Sequence, residues 1–299
     1  MDILVAGATG FVGSRLVTAL HHAGHDVRAM TRHPAEYVGD GLPVFGDVRD
    51  PDGLDSALAG AHVAYYLVHS LDDDDFERID ADAARAFGAA AAGAGVQRIV
   101  YLGGLGPADA AKLSPHLRSR RQVESLLGEA GVPVTVLRAA IVIGHGGVSW
   151  EITRQLIKNL PVMVAPRWVN TRTQPIALDD TVRYLVGVAD LPEGAGRVFQ
   201  IGGPEAMTYA DMLRRAAIVR NGRQLPVVVL PLLTPRLSSM WISLVTDVDT
   251  TTARNLIESM DTEVVVTDRS IESLLPGELL DYEEAIVRAG AQRHAADEP

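Results

Sequence analysis

The sequence predicts an α/β protein in which a doubly wound parallel sheet carries a smaller C-terminal lobe. Three observations lead there. Short β-rich runs alternate with amphipathic or alanine-rich segments through the first 145 residues, which is the rhythm of βαβ units. One run, Ile99-Val100-Tyr101-Leu102, is continuously apolar, as a strand covered on both faces must be. A glycine-rich turn, Gly7-Ala8-Thr9-Gly10-Phe11-Val12-Gly13, joins the first run to the first helical segment.

In chain order, strands are expected at residues 3–6, 26–30, 43–45, 63–68, 98–102 and 134–137, with helices at 11–23, 76–92 and 116–130. Beyond residue 145 the alternation loosens. Helices near 149–159, 179–189 and 208–221 surround strands near 173–178 and 198–201, and a proline-punctuated stretch follows. The expected division is a nucleotide-binding domain at 1–145 and a substrate lobe at 146–299, with residues from about 174 to 203 returning to the first sheet.

Composition narrows the function. With 47% hydrophobic and 22% charged residues, a chain of 299 has material for a sizeable core. It has no cysteine, which removes disulfides, thiolate metal ligands and thiol nucleophiles together. A net charge of −11 disfavours a nucleic-acid partner. The first strand follows the initiator directly, leaving no room for a signal peptide. The most apolar later stretch, residues 225–248, is interrupted by Pro226, Pro231, Pro235, Arg236 and Asp247, so no membrane span is expected. A cytoplasmic protein acting on a small molecule fits these features. His21 and His25 lack a third ligand, and Asp72-Asp73-Asp74-Asp75 lacks the glycine and terminal glutamate of a calcium loop, so no metal is expected. No Gly-x-Ser-x-Gly elbow exposes a nucleophile.

The glycine turn points to a dinucleotide. Glycines let the backbone turn tightly and let a pyrophosphate approach the amides of a helix N-terminus. At the end of the second strand an NAD site places a carboxylate for the ribose 2′-hydroxyl. Here the segment reads Ala29-Met30-Thr31-Arg32-His33-Pro34. It has no carboxylate, and Arg32 offers a donor fork suited to a 2′-phosphate. NADP(H) is therefore expected over NAD(H). Asp47, in Gly46-Asp47-Val48, is placed either to accept from the adenine amino group or to serve a turn before Pro51.

These motifs, together with Tyr65-Tyr66-Leu67-Val68-His69-Ser70 and Val136-Leu137-Arg138, resemble the atypical short-chain dehydrogenase/reductases. The likeness is to their NAD(P)-binding, NmrA-like and complex I accessory-subunit-like branch. Later runs extend it over nearly the whole chain, among them Phe199-Gln200-Ile201-Gly202-Gly203-Pro204 and residues 234–238. The resemblance implies a Rossmann fold with dinucleotide contacts from Gly7, Thr9, Gly10, Phe11, Val12, Gly13, Arg32, Asp47, Val48, Leu67, Val68, His69, Leu102, Gly103, Arg120 and Ala140.

The family's usual Ser, and its Tyr-x-x-x-Lys pair, are absent. After the fifth strand comes Leu102-Gly103-Gly104, and the following helix carries His116 and Arg120 where Tyr and Lys would stand. His116 is either a proton donor in its imidazolium form or part of a helix start marked by Ser114-Pro115. Arg120 can hold ribose but cannot relay protons, since its pKa lies above about 12. His69 is the second candidate donor. Around the substrate we expect His69, Trp150, Arg167 and Trp168, with Met163 and Trp241 either lining a pocket or filling the smaller lobe. Three activities follow as expectations: a reductase of an unidentified small molecule, a non-catalytic NADPH sensor or assembly protein, and, more weakly, a sugar-nucleotide epimerase, whose chemistry relies on the absent Tyr. Oligomeric state is not legible.

Overall fold

Residues 1–229, 246–247 and 250–297 are described by the computed structural model. Trp241 and the 234–238 run lie outside them. The strands β1 (Asp2–Ala6), β2 (Asp26–Thr31), β3 (Leu42–Phe45), β4 (Val63–Tyr66), β5 (Arg98–Gly104) and β6 (Val134–Ala139) are followed by four short ones. These are β7 (Val142–Ile143), β8 (Met163–Ala165), β9 (Arg172–Thr173) and β10 (Ile176–Ala177); then come β11 (Val198–Ile201), β12 (Met207–Thr208) and β13 (Val227–Val229). The main helices are α1 (Phe11–His22), α2 (Pro51–Leu58), α3 (Phe76–Gly93), α4 (Pro115–Leu127), α5 (Val148–Asn159), α6 (Leu178–Ala189) and α7 (Tyr209–Asn221).

Seven strands form one parallel sheet in the order β11-β6-β5-β4-β1-β2-β3. Strand order reverses between β1 and β4, and such a reversal opens a crevice at the carboxyl ends of the strands. Alternation along β1 explains the two covered faces. Leu4 and Ala6 enter a core with Tyr66, Phe87, Tyr101 and Leu127 under α3 and α4. Ile3 and Val5 enter the opposite core with Leu16, Tyr65, Leu185 and Phe199 under α1 and α6. Two long-range bonds fasten the second layer: the Tyr65 hydroxyl donates to Leu185 O at 2.7 Å, and Arg98 donates to Ala189 O at 3.2 Å.

A separate core belongs to the smaller lobe. It contains Trp150, Ile157, Met163, Trp168, Tyr209, Met212 and Ile286. β11 pairs with β6 in the main sheet, and Ile271 packs into the core beneath α1 and α6.

Three element limits differ from the sequence expectations in ways that shape the site. β4 stops at Tyr66, so Leu67 to Ser70 turn outward as a loop over the crevice. β5 continues to Gly104, with Leu102 to Gly104 paired to Leu137 to Ala139. The strand expected at 173–178 is two strands: β9 pairs antiparallel with β12, and β10 pairs parallel with β7. Pro175 lies between them, where it cannot donate to a ladder, and its carbonyl accepts instead from Gly203 N at 2.9 Å.

Candidate functional site

The turn between β1 and α1 is built by backbone proximity. Gly7 has φ +85°, a left-handed conformation, and its carbonyl accepts from Gly10 N at 3.0 Å. A Cβ on Gly13 would stand 2.0 Å from that carbonyl oxygen, so only glycine lets α1 start this close to β1. Gly10 caps α1 without a side-chain bond, leaving the first helical amides free of a side-chain acceptor.

One end of the crevice is a cleft of about 500 Å³ lined by Gly7, Thr9, Arg32, Asp47, Val48, Val68 and His69, among others. Asp47 serves a turn while facing this space, its carboxylate accepting from Arg49 N at 2.9 Å. Sequence reasoning missed Arg49. This second arginine lines the same cleft, and its Nη2 donates to Ser70 Oγ at 3.2 Å. Ser70 also hydrogen-bonds Asp80, whose buried carboxyl has its pKa raised by desolvation against the lowering effects of Arg120, Ser70 and Arg49. One buried acid is thus electrostatically coupled to an arginine at each end of the crevice.

The other end is a pocket of about 230 Å³ lined by Gly10, Phe11, Val12, Gly13, Leu67, His69, Leu102, Gly103, His116, Arg120 and Ala140, among others. His69 borders both spaces. Arg120 Nη1 donates to the Tyr101 hydroxyl at 3.4 Å, and its Nε–H points at His116 Nε2 across 3.5 Å. Ser114 caps α4, accepting from Leu117 N at 3.3 Å, with Pro115 in the first turn. That feature of the sequence is a helix start, whatever else His116 does.

The surroundings of His116 bear on the proton-donor role expected of it. Burial first, then the Arg120 cation and His69, lower its pKa to about 3. Solvent reaches His69, yet desolvation by the cleft walls and the Arg120 charge lower its pKa to about 3 as well. Desolvation first, then the guanidinium of Arg120, favour the neutral form of both rings and work against the imidazolium acid expected from the unperturbed histidine pKa.

A smaller cavity of about 90 Å³ adjoins the second pocket, sharing Gly104, His116, Ala139 and Ala140 with it. Its remaining wall comes from Leu105, Leu117, Ile141, Ser149, Tyr209, Leu256, Ser259, Met260 and Val264. None of the four residues expected at the substrate is in this wall; His69 borders the two larger spaces instead. Trp150 and Trp168 are buried in the lobe core, with Trp168 edge-on to Tyr209 at 5.7 Å between ring centroids. Arg167 is exposed on a 3₁₀ turn, Arg167–Asn170, rather than in an extended strand. Tyr209 and Ser149, next to Trp168 in space and Trp150 in sequence, are the residues that face the cavity.

A family model described as NAD(P)H-binding matches residues 7–160. The chain belongs to the NAD(P)H-binding family. It is 30% identical, over 70% of each chain, to a (4-alkanoyl-5-oxo-2,5-dihydrofuran-3-yl)methyl phosphate reductase of Streptomyces griseus. It is 23% identical to the photosystem II assembly factor Ycf39 of Trieres chinensis, over 71% of this chain and 67% of that one. Among solved structures, the triphenylmethane reductase of Citrobacter sp. complexed with NADP(H) superposes with a TM-score of 0.77 at 18% identity, covering 97% of this chain and 100% of that one.

The crevice of this NAD(P)H-binding protein fits such a cofactor on its own chemistry. Uncapped amides at the start of α1 suit a pyrophosphate, and two arginines with an acid in one cleft suit an adenosine end. Among the described residues no group of three or more His, Cys, Asp or Glu side chains is arranged to hold a metal ion. Among them, too, no helix is long and apolar enough to cross a membrane.

Proposed function

We propose that this chain is an NADPH-dependent reductase of a small, mostly apolar molecule that enters the cavity beside His116. The observation carrying this reading is the cavity's position: it opens off the same Gly104, His116 and Ala140 that border the inner pocket. A bound nicotinamide supplies the hydride. Arg120 provides fixed positive charge and donors near the ribose. His116, neutral, offers hydrogen bonds rather than an acidic proton. Arg32 and Arg49 hold the 2′-phosphate end, giving preference for NADPH over NADH. The similarity to named reductases supports the oxidoreductase class.

The second reading is a non-catalytic NADPH sensor or assembly protein. Gly103-Gly104 in place of the usual hydroxyl, the two uncharged histidines and the similarity to an assembly factor favour it. Titration of both nucleotides against wild type and Arg32→Asp, followed by a metabolite-extract screen for NADPH oxidation, tests the proposal. We expect tighter NADPH binding, lost in the variant, and oxidation by a purified metabolite. Equal affinities in wild type would end the NADPH preference, and no oxidation by any extract would end the reductase reading.

A further inference from the structure

A side chain on the last residues of β5 would make its neighbours shift. A Cβ on Gly104 would lie 2.7 Å from Leu117 Cδ2, and one on Gly103 would lie 2.8 Å from Glu124 Oε1. That carboxylate is already held by Arg138, with Nε to Oε1 at 3.0 Å. The cavity nevertheless receives a serine from far along the chain. Ser259, at the end of the helix Thr250–Ser259, lies in its wall. Its Oγ is 3.4 Å from His116 Nδ1, 3.0 Å from Ser114 Oγ and 3.0 Å from Asn255 O. The helix is tied to the nucleotide-binding half, since Asn255 Nδ2 donates to Leu71 O at 3.2 Å and Arg254 pairs with Asp74 at 2.9 Å.

We infer that Ser259 is the hydrogen-bond donor that orients the substrate oxygen in this cavity, and that His116 polarises it through Nδ1–H. The inference rests on reading the cavity as the substrate site. Its logic is donor and acceptor accounting. A guanidinium has only donors, so His116 Nε2, facing Arg120, must present its lone pair. A neutral ring then carries its proton on Nδ1, toward Ser259 Oγ. Oγ accepts that proton in a hydrogen bond and keeps its own O–H to give. In the structure that O–H goes back to the Asn255 carbonyl, four residues earlier in the same helix. Such back-bonding is a weak use of a hydroxyl, and rotation about Cβ–Oγ, which leaves Oγ beside His116, frees it for an oxygen lying in the cavity. Donation from His116 strengthens the O–H as a donor, because chained hydrogen bonds polarise one another. After hydride arrives from the nicotinamide, the substrate oxyanion takes its proton from solvent, so none has to leave the ring.

Two measurements test this on the full chain. In protein carrying ¹⁵N-labelled histidine, His116 should show a protonated Nδ1 and an unprotonated Nε2. Its Nδ1 proton should exchange with water faster in Ser259→Ala and at the wild-type rate in Ser259→Thr. Menadione, a neutral quinone, serves as the second probe. With NADPH, Ser259→Ala should lower kcat/KM on the order of 10²-fold, the usual cost of removing one oxyanion donor. NADPH affinity should be unchanged, and Ser259→Thr should restore most of the rate. If wild type does not turn over menadione, the reductase reading loses support, and the Ser259 inference is decided by whether menadione shifts the His116 Nδ1–H signal in wild type and not in Ser259→Ala. A proton on Nε2, an unchanged kcat/KM in Ser259→Ala, or a signal indifferent to menadione would each overturn it.

Discussion

The two ends of the crevice are made differently. The outer cleft draws its lining from Gly7 to Asp72, all within the first four strands and the loops that follow them, and it is rich in charge: Arg32, Arg49, Asp47, Asp72 and Glu36. The inner cavity draws on segments from Gly104 to Val264 and is walled mainly by Leu, Ile, Val, Met and Ala side chains. Charge suits a ligand that is always the same, a nucleotide with fixed phosphates. An apolar wall assembled from six parts of the chain suits a ligand with little charge. The difference teaches that the glycine-turn end is fixed by local sequence, whereas the inner cavity depends on how the lobe packs.

The sharpest break of the nucleotide turn is Gly13→Val. Its Cβ would need the space taken by the Gly7 carbonyl at 2.0 Å, so NADPH affinity should fall at least ~10²-fold, a loss equal to about 2.7 kcal/mol. Fluorescence titration reads this, with circular dichroism to register any loss of fold. Gly93→Ala, where an added Cβ meets nothing within 4 Å, should leave binding intact.

Arg49→Ala probes the same end more finely. Removing one charge-assisted contact should weaken NADPH about tenfold and NADH much less, since such bonds contribute roughly 1.5–3 kcal/mol. Equal weakening of both nucleotides would place Arg49 on the adenine or pyrophosphate instead.

The inner end has a pH signature. Folding lowers the pKa of His116 and His69 from the ordinary histidine value of 6.5 to about 3, through desolvation first and the Arg120 charge second. The unfolded chain therefore binds protons first as pH falls. Their contribution to stability is complete above the unfolded pKa and declines from about pH 6.5 down toward pH 3. Asp80, with its pKa raised by burial, works in the opposite direction at the acid end. Thermal melts should show Tm dropping below pH 6.5, and His116→Phe should make that drop shallower. A menadione reduction rate without a histidine inflection between pH 5 and 8 should accompany it.

The smallest effect belongs to Arg167→Ala. The side chain is exposed and outside the described cavity wall, so kcat/KM should change less than about 2-fold and stability by less than ~0.5 kcal/mol. A larger loss of kcat/KM would bring Arg167 back to the substrate.

Legibility follows the same division. The turn from Gly7 to Gly13, Arg32 and the Gly103-Gly104 gap could be read because each is a local pattern whose neighbours in sequence are its neighbours in space. His116 and Arg120 could be found for the same reason, being one helical turn apart. Their ionisation could not, because it depends on burial and on His69 arriving from another strand. Arg49 escaped notice since its value lies in reaching Ser70, beyond an intervening strand. Trp150 and Trp168 drew attention as rare aromatics, yet large apolar rings fill a lobe core at least as readily as they line a pocket. Tyr209 and Ser259 had no signal at all in the sequence, because nothing near them marks which face of their helices meets Ala140.

The family model ends at residue 160, while Tyr209, Leu256, Ser259, Met260 and Val264 complete the cavity from beyond it. The cavity is thus a joint between two stretches of the polypeptide, its floor inside the matched stretch and its closing side beyond it. Those five later positions can be exchanged without touching the glycine turn that begins at Gly7.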